Sequence, residues 1–95
     1  MYARMLTIET LPEELDEAVR LYRDVVVPAA RTQRGFRGLM FLTDRASGVV
    51  RSIVLWDSAE DNFEEPTYQS VLAAFKDKVT IKSFKRDGYD VSVRV

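Results

Sequence analysis

Residues Arg34 to Leu42 read RGFRGLMFL. This is close to the RNA-binding signature K/R-G-F/Y-G/A-F-V-x-F/Y, whose aromatic side chains stack bases on an open sheet. Arg34, Gly35, Phe36 and Phe41 match, Arg37 and Gly38 do not, and Leu39 is a near miss for Val. Gly38 takes the place of the fifth-position aromatic, where stacking matters most. The stretch also follows a helix directly, which makes it a second strand, whereas the signature lies on the third. The chain carries 14 Lys and Arg against 15 Asp and Glu, a net charge of −1, so it has no basic surplus to neutralise phosphates. The stretch is therefore read as structural. Gly35 is a helix C-cap, Phe36 is core, and Gly38 lets another backbone or a ligand come close. No nucleic-acid partner is expected.

The chain has no Cys and no His. Disulfides, thiolate nucleophiles and zinc-thiolate sites are excluded. So are the Ser-His-Asp triad and the usual metal and haem ligand. A base has to be Asp, Glu, Tyr, Lys or a water, and the sequence singles out no catalytic residue. Arg4 and Arg51, both on strands, could stabilise an anion if they point inward. Lys76, Lys78, Lys82, Lys85 and Arg86 form a basic cluster, but Asp77 and Asp87 interrupt it, as in a solvated surface. Asp57, Glu60, Asp61, Glu64 and Glu65 sit where a second helix begins, and acids there favour its dipole. No metal site is expected.

These residues have to be positioned by a small set of elements. Residues 2–9, YARMLTIE, read as a strand. Thr10-Leu11-Pro12-Glu13 has capping-box spacing with proline in the first turn. The helix that follows carries its apolar stripe on Leu15, Ala18, Val19, Tyr22, Val25, Val26 and Ala29. Pro28 predicts a kink or a last turn near the helix end. Phe36 to Thr43 and Val49 to Trp56 are strands joined by a short link that makes them an antiparallel hairpin. Ser58-Ala59-Glu60-Asp61 predicts a helix start, and Pro66 splits that helix into a short and a longer piece. The longer piece has Tyr68, Val71, Leu72, Phe75 and Val79 on one face. Lys82 to Gly88 reads as a charged loop ending in the Asp87-Gly88 turn signal. Tyr89 to Val95 alternates strictly and reads as the last strand.

The order βαββαβ predicts an α+β, ferredoxin-like antiparallel sheet with two helices on one face, in one domain over residues 1–95. Phe36, Met40 and Leu42 point one way on the second strand, and Leu39 and Phe41 the other. Val50, Val54 and Trp56 oppose Ile53 and Leu55 on the third. Both faces are apolar, yet the helices cover only one. The open face predicts a homodimer with the two sheets face to face. The start MYARMLTIET lacks a leader's apolar core and no apolar run approaches ~20 residues, so a cytoplasmic protein without membrane segments is expected.

The helix ending VVPAARTQRGFRG, the strand-turn-strand LTDRASGVV and the exit SIVLWDSAED resemble the antibiotic biosynthesis monooxygenase-like proteins. The resemblance runs from Tyr2 to Val95 and implies a dimeric α+β barrel. The haem-degrading branch of that family resembles the chain in layout. It places an asparagine on strand one, a tryptophan at the end of strand three and a histidine on helix two. Only the tryptophan survives, as Trp56. The sole Asn is Asn62, and Phe75 in AAFKDKV falls about where the histidine would lie. The branch that remains implies cofactor-independent oxygenation of a small electron-rich aromatic, a quinol or an anthrone. The protein's part would be an apolar cavity and orientation.

Such a cavity should lie between sheet and helices, lined by Tyr22, Trp56, Phe63, Tyr68 and Phe75, whose rings can stack on a flat ligand. Burial or helix packing alone also accounts for Tyr22, Trp56, Tyr68 and Phe75. The alternative function is therefore a non-catalytic dimeric module, small-ligand-binding or stress-associated, that uses the fold to hold a small hydrophobic ligand.

Overall fold

A computed structural model describes residues 1–95. Four antiparallel strands, β1 (Tyr2–Glu9), β2 (Phe36–Asp44), β3 (Val49–Trp56) and β4 (Ser83–Asp90), form one sheet in the order β2-β3-β1-β4. The helices lie on one face, so the fold is α+β and ferredoxin-like. β1 pairs along its whole length with both β3 and β4, from Tyr2↔Trp56 to Glu9↔Val49 and from Tyr2↔Asp90 to Glu9↔Ser83.

The helix after β1 starts differently from the expected capping box. Pro12–Glu14 forms a 3₁₀ turn with no side-chain cap, and α1 (Leu15–Leu21) follows it. Glu14, not Glu13, receives Thr10, whose Oγ1 donates to it at 3.4 Å. Glu14 also accepts the Thr80 backbone N–H at 2.6 Å and the Thr80 hydroxyl at 3.0 Å. It therefore joins the start of α1 to the chain leaving the last helix. The Thr80 N–H, more than any other group, holds its carboxyl below the usual 4.5.

The kink expected at Pro28 is a π-helical turn over Tyr22–Val26, closed by the Val27 N–H on the Tyr22 carbonyl. It leads into α2 (Val27–Arg31), which contains Pro28 in its first turn. The extra residue in that turn changes the phase of the stripe. The buried residues are Leu15, Ala18, Leu21, Tyr22, Val26 and Ala30. Leu21 and Ala30 are thus buried where the expected stripe has Val19 and Ala29, while Val25 is partly buried and packs against the core.

Further expectations are corrected. Gly35 is not the helix C-cap: Thr32 is, and Gly35 lies in the turn beyond with φ +83°. An added Cβ there would run into the Asp61 carboxylate. Nothing lies close to Gly38; it sits at a bulge where the register passes from Phe36↔Trp56 to Gly38↔Leu55. The bulge puts Phe36 on the helix face with Leu39 and Phe41, away from Met40 and Leu42.

Ser58–Asp61 forms a turn in which the Ser58 N–H and hydroxyl donate to Asp61 Oδ2, at 3.1 and 3.3 Å. No short helix precedes Pro66, which instead lies in the first turn of α3 (Glu65–Lys78). Finally, all of the expected 82–88 loop beyond Lys82 is strand, and residues 91–95 lie outside the sheet. β1 needs a partner along its full length, and β4 supplies it as far as Asp90. Charged side chains suit β4 because it is an edge strand.

The outer sheet face carries Met40 and Leu42, 50% and 45% exposed, with Met5, Ile53 and Leu55 beside them. No helix is long and apolar enough to cross a membrane.

Candidate functional site

The helix face of the sheet packs in two places. Ile8, Leu15 and Val50 form a small cluster at one end. A larger one joins Ala18, Leu21, Tyr22 and Val26 to Phe75 and Val79. Beside the larger cluster, beneath α3 and over β1 and β4, is a cavity of about 170 Å³. Tyr22, Trp56, Phe63, Tyr68 and Phe75 all border it, with Phe41, Val71 and Leu72. The structure brings the five aromatic residues together; Phe75 is at the same time core.

Each wall has a local cause. Trp56 ends β3 between Tyr2 and Phe36, its cross-strand partners on either side. It is fully buried, with Phe36 and Phe63 edge-on to it at 6.1 and 5.5 Å between ring centres. Its indole N–H has no acceptor, and an orphaned buried donor costs about 1–3 kcal/mol. Tyr22 opens the π-helical turn, and its ring stacks on Phe41 at 4.1 Å. Tyr22 Oη and Ser52 Oγ share a hydrogen bond of 2.7 Å. Burial pushes the Tyr22 phenol above its usual 10.0, against the opposing pull of Ser52, so it is neutral at physiological pH.

Two arginines border the same cavity. Arg4 points to the helix side, and its Nε and Nη2 donate to the backbone carbonyls of Asp61 and Ala59 at 2.8 and 2.7 Å. Arg51, the other candidate, pairs with Thr7 and Leu42 on the outer face, away from the cavity. Arg86 was legible only as part of the basic cluster. It donates to the Tyr68 hydroxyl and lies over the rings of Tyr68 and Phe84, at 4.6 and 5.3 Å.

The rest of that cluster disperses. Lys82 pairs with Glu9 at 3.4 Å, Lys85 with Asp87 at 3.7 Å, and Lys76 and Lys78 belong to the last turn of α3. The acidic run disperses too: Asp57 pairs with Arg37, Asp61 with Ser58, and Glu65 lies in the first turn of α3.

This topology defines a class: the fold is that of the antibiotic biosynthesis monooxygenase-like domains. One such structure, an antibiotic biosynthesis monooxygenase, superposes with a TM-score of 0.69 at 16% identity, over 98% of this chain and 100% of its own. The monooxygenase of the ActVA-Orf6 gene of Streptomyces coelicolor, solved with nanaomycin D, superposes at 0.82 with 14% identity, over 99% and 89%. A point mutant of MhuD, solved with two manganese protoporphyrin IX molecules per active site, superposes at 0.68 with 15% identity, over 100% and 98%. At such identities the likeness is one of fold.

In sequence, Rv2557 and Rv2558 of Mycobacterium tuberculosis, both named as uncharacterized, are 38% identical to this chain over 60 residues. That stretch is 63% of this chain but 27% and 25% of theirs, so the chain spans about a quarter of the curated relatives it matches. No family model matches the sequence.

The cavity does not suit a porphyrin. The chain offers neither imidazole nor thiolate, and the hydroxyl of Tyr68 already accepts a hydrogen bond from Arg86. About 170 Å³ is also close to the roughly 150 Å³ of an apolar cavity that takes benzene, far below the size of a macrocycle.

Proposed function

We propose that the cavity binds a small, electron-rich, single-ring aromatic and oxygenates it with dioxygen, without a cofactor. The observation that carries this reading is the aromatic-walled cavity closed at one end by Trp56, whose buried indole N–H lacks an acceptor. That N–H has no accessible surface of its own, so a hydroxyl or carbonyl oxygen of the ligand would meet it through a shift of the indole ring toward the cavity. The volume narrows the substrate from quinols and anthrones to single-ring quinols. The Streptomyces coelicolor neighbour, a monooxygenase solved with nanaomycin D, supports a ligand site within this fold.

The reaction asks little of the protein. A quinol that has lost a phenolic proton gives one electron to dioxygen. The ring radical and superoxide then combine at a ring C–H carbon. Proton uptake and loss of water leave a carbonyl there, so one oxygen atom enters the product and the other departs as water. The cavity orients the ring. The neutral phenol of Tyr22 serves as a hydrogen-bond donor, and water is the base. The protein acts as a homodimer joined through the outer sheet face.

The test is oxygen uptake by the purified, metal-free protein with hydroquinones, corrected for spontaneous oxidation. Saturable uptake is expected, and Trp56→Phe, which keeps a ring and removes the N–H, should lower kcat/KM about tenfold or more. Uptake no faster than background would sink the oxygenase.

A second reading, a ligand-holding module without turnover, is favoured by one observation. No carboxylate is aimed into the cavity: Asp87, the one acidic residue along its lining, pairs with Met5 of the outer face, and its carboxylate lies beside Lys85. It predicts that hydroquinones raise Tm by mass action without consuming oxygen.

A further inference from the structure

We infer that the ligand of this cavity is an anion: a single aromatic ring carrying a carboxylate. The inference rests on the small-aromatic reading above and concerns the charge of the compound. Three of the chain's arginines lie against carboxylates: Arg20 on Glu17, Arg37 on Asp57 and Arg45 on Asp16. The two that border the cavity do not. Arg4 is held by two backbone carbonyls and lies 5.2 Å from the centre of the Tyr2 ring. Arg86 is held by the Tyr68 hydroxyl and two aromatic faces. Both guanidinium planes are thus positioned without being neutralised.

Their spacing follows from the sheet. Arg4 pairs with Gly88, and Leu6 with Arg86, so the arginines are diagonal neighbours on one face of β1 and β4, roughly 7–8 Å apart at the backbone. Arg4 Nη1 and Arg86 Nε and Nη1 have no acceptor in the protein. Asp61, next to Arg4, gives it only a backbone oxygen and turns its carboxylate to Ser58. Asp87, next to Arg86, is matched by Lys85. Two positive charges therefore flank an apolar, ring-sized space, although the chain as a whole is slightly acidic. A planar carboxylate accepts two N–H groups from such forks at once, while the attached ring fills the space under Trp56 and Phe63.

Trp56 is the chain's only tryptophan, so its fluorescence, excited where benzoate and benzamide do not absorb, reports their binding. Benzoate is expected to bind about tenfold or more tightly than the near-isosteric benzamide at low salt, and the preference should shrink as salt is added. Arg86→Met should bring the two ligands close to parity by weakening benzoate alone, and Arg86→Lys should keep part of the preference. Arg4→Met is a second probe, but Arg4 also holds the 59–61 turn, so the wild-type comparison and the Arg86 pair decide. Parity in the wild-type protein, or a preference untouched by Arg86→Met, would overturn the anion while leaving an aromatic cavity standing. Binding of neither ligand would overturn both readings.

Discussion

Tyr22 is where one residue's chemistry is most constrained. Its ring belongs to the core, its hydroxyl meets Ser52, and burial raises its pKa. Tyr22→Phe removes the hydrogen bond and leaves the Ser52 hydroxyl without its partner, a loss of about 1 kcal/mol. In a domain of this size that lowers Tm by roughly 4–8 °C, readable by thermal denaturation. The pH dependence has a definite sign. A phenol whose folded pKa lies above 10.0 contributes its stability fully below pH 10 and loses it as pH rises through the folded value. The wild-type protein should therefore lose stability above pH 10 more steeply than Tyr22→Phe does.

Among the elements, the first helical rod is positioned by two irregularities. The π-helical turn rotates Tyr22, Val26 and Ala30 onto the sheet and brings the Tyr22 ring against Phe41. At the other end, Glu14 ties the 3₁₀ turn to Thr80. Its carboxyl titrates below 4.5 in the folded state. The stability it contributes is present above that pH and is lost as pH falls through the lower, folded value. Glu14→Gln should lower Tm at pH 7, and the gap between variant and wild type should close as pH falls below 4.5. A gap of constant size down to about pH 3 would show that charge plays no part in the tie.

At the scale of the whole molecule, the open balance is that of the outer sheet face. Met40 and Leu42 stand half-exposed there, beside Ile53 and Leu55, while the helices cover the opposite face. A chain of about this length buries only ~60–65% of its unfolded surface and gains much from a partner. Sheet-to-sheet association of two copies is thus the expected state in solution. Light scattering should give twice the chain's 10.9 kDa at micromolar concentration. Met40→Glu, which leaves the helix-face core untouched, should give the monomer mass. A wild-type monomer would refute the association.

The sequence by itself determined the order of elements, the bounds of β1 and β3, and the five aromatic residues that meet at the cavity. These rest on local signals: period-two and period-3.6 patterning and the reach of a short hairpin link. Tertiary structure decided whatever depends on a neighbour. The charged stretch 83–90 became a strand because β1 required a partner, and that strand brought Arg86 to the cavity; an alternation placed at 89–95 had hidden it. The bulge between Phe36 and Gly38 moved Phe36 to the helix face, and the π-helical turn shifted the end of the stripe, so that Ala30 is buried in place of Ala29. Both insert one residue into a regular repeat. A sequence pattern carries no mark of such an insertion until the facing strand or helix fixes the register.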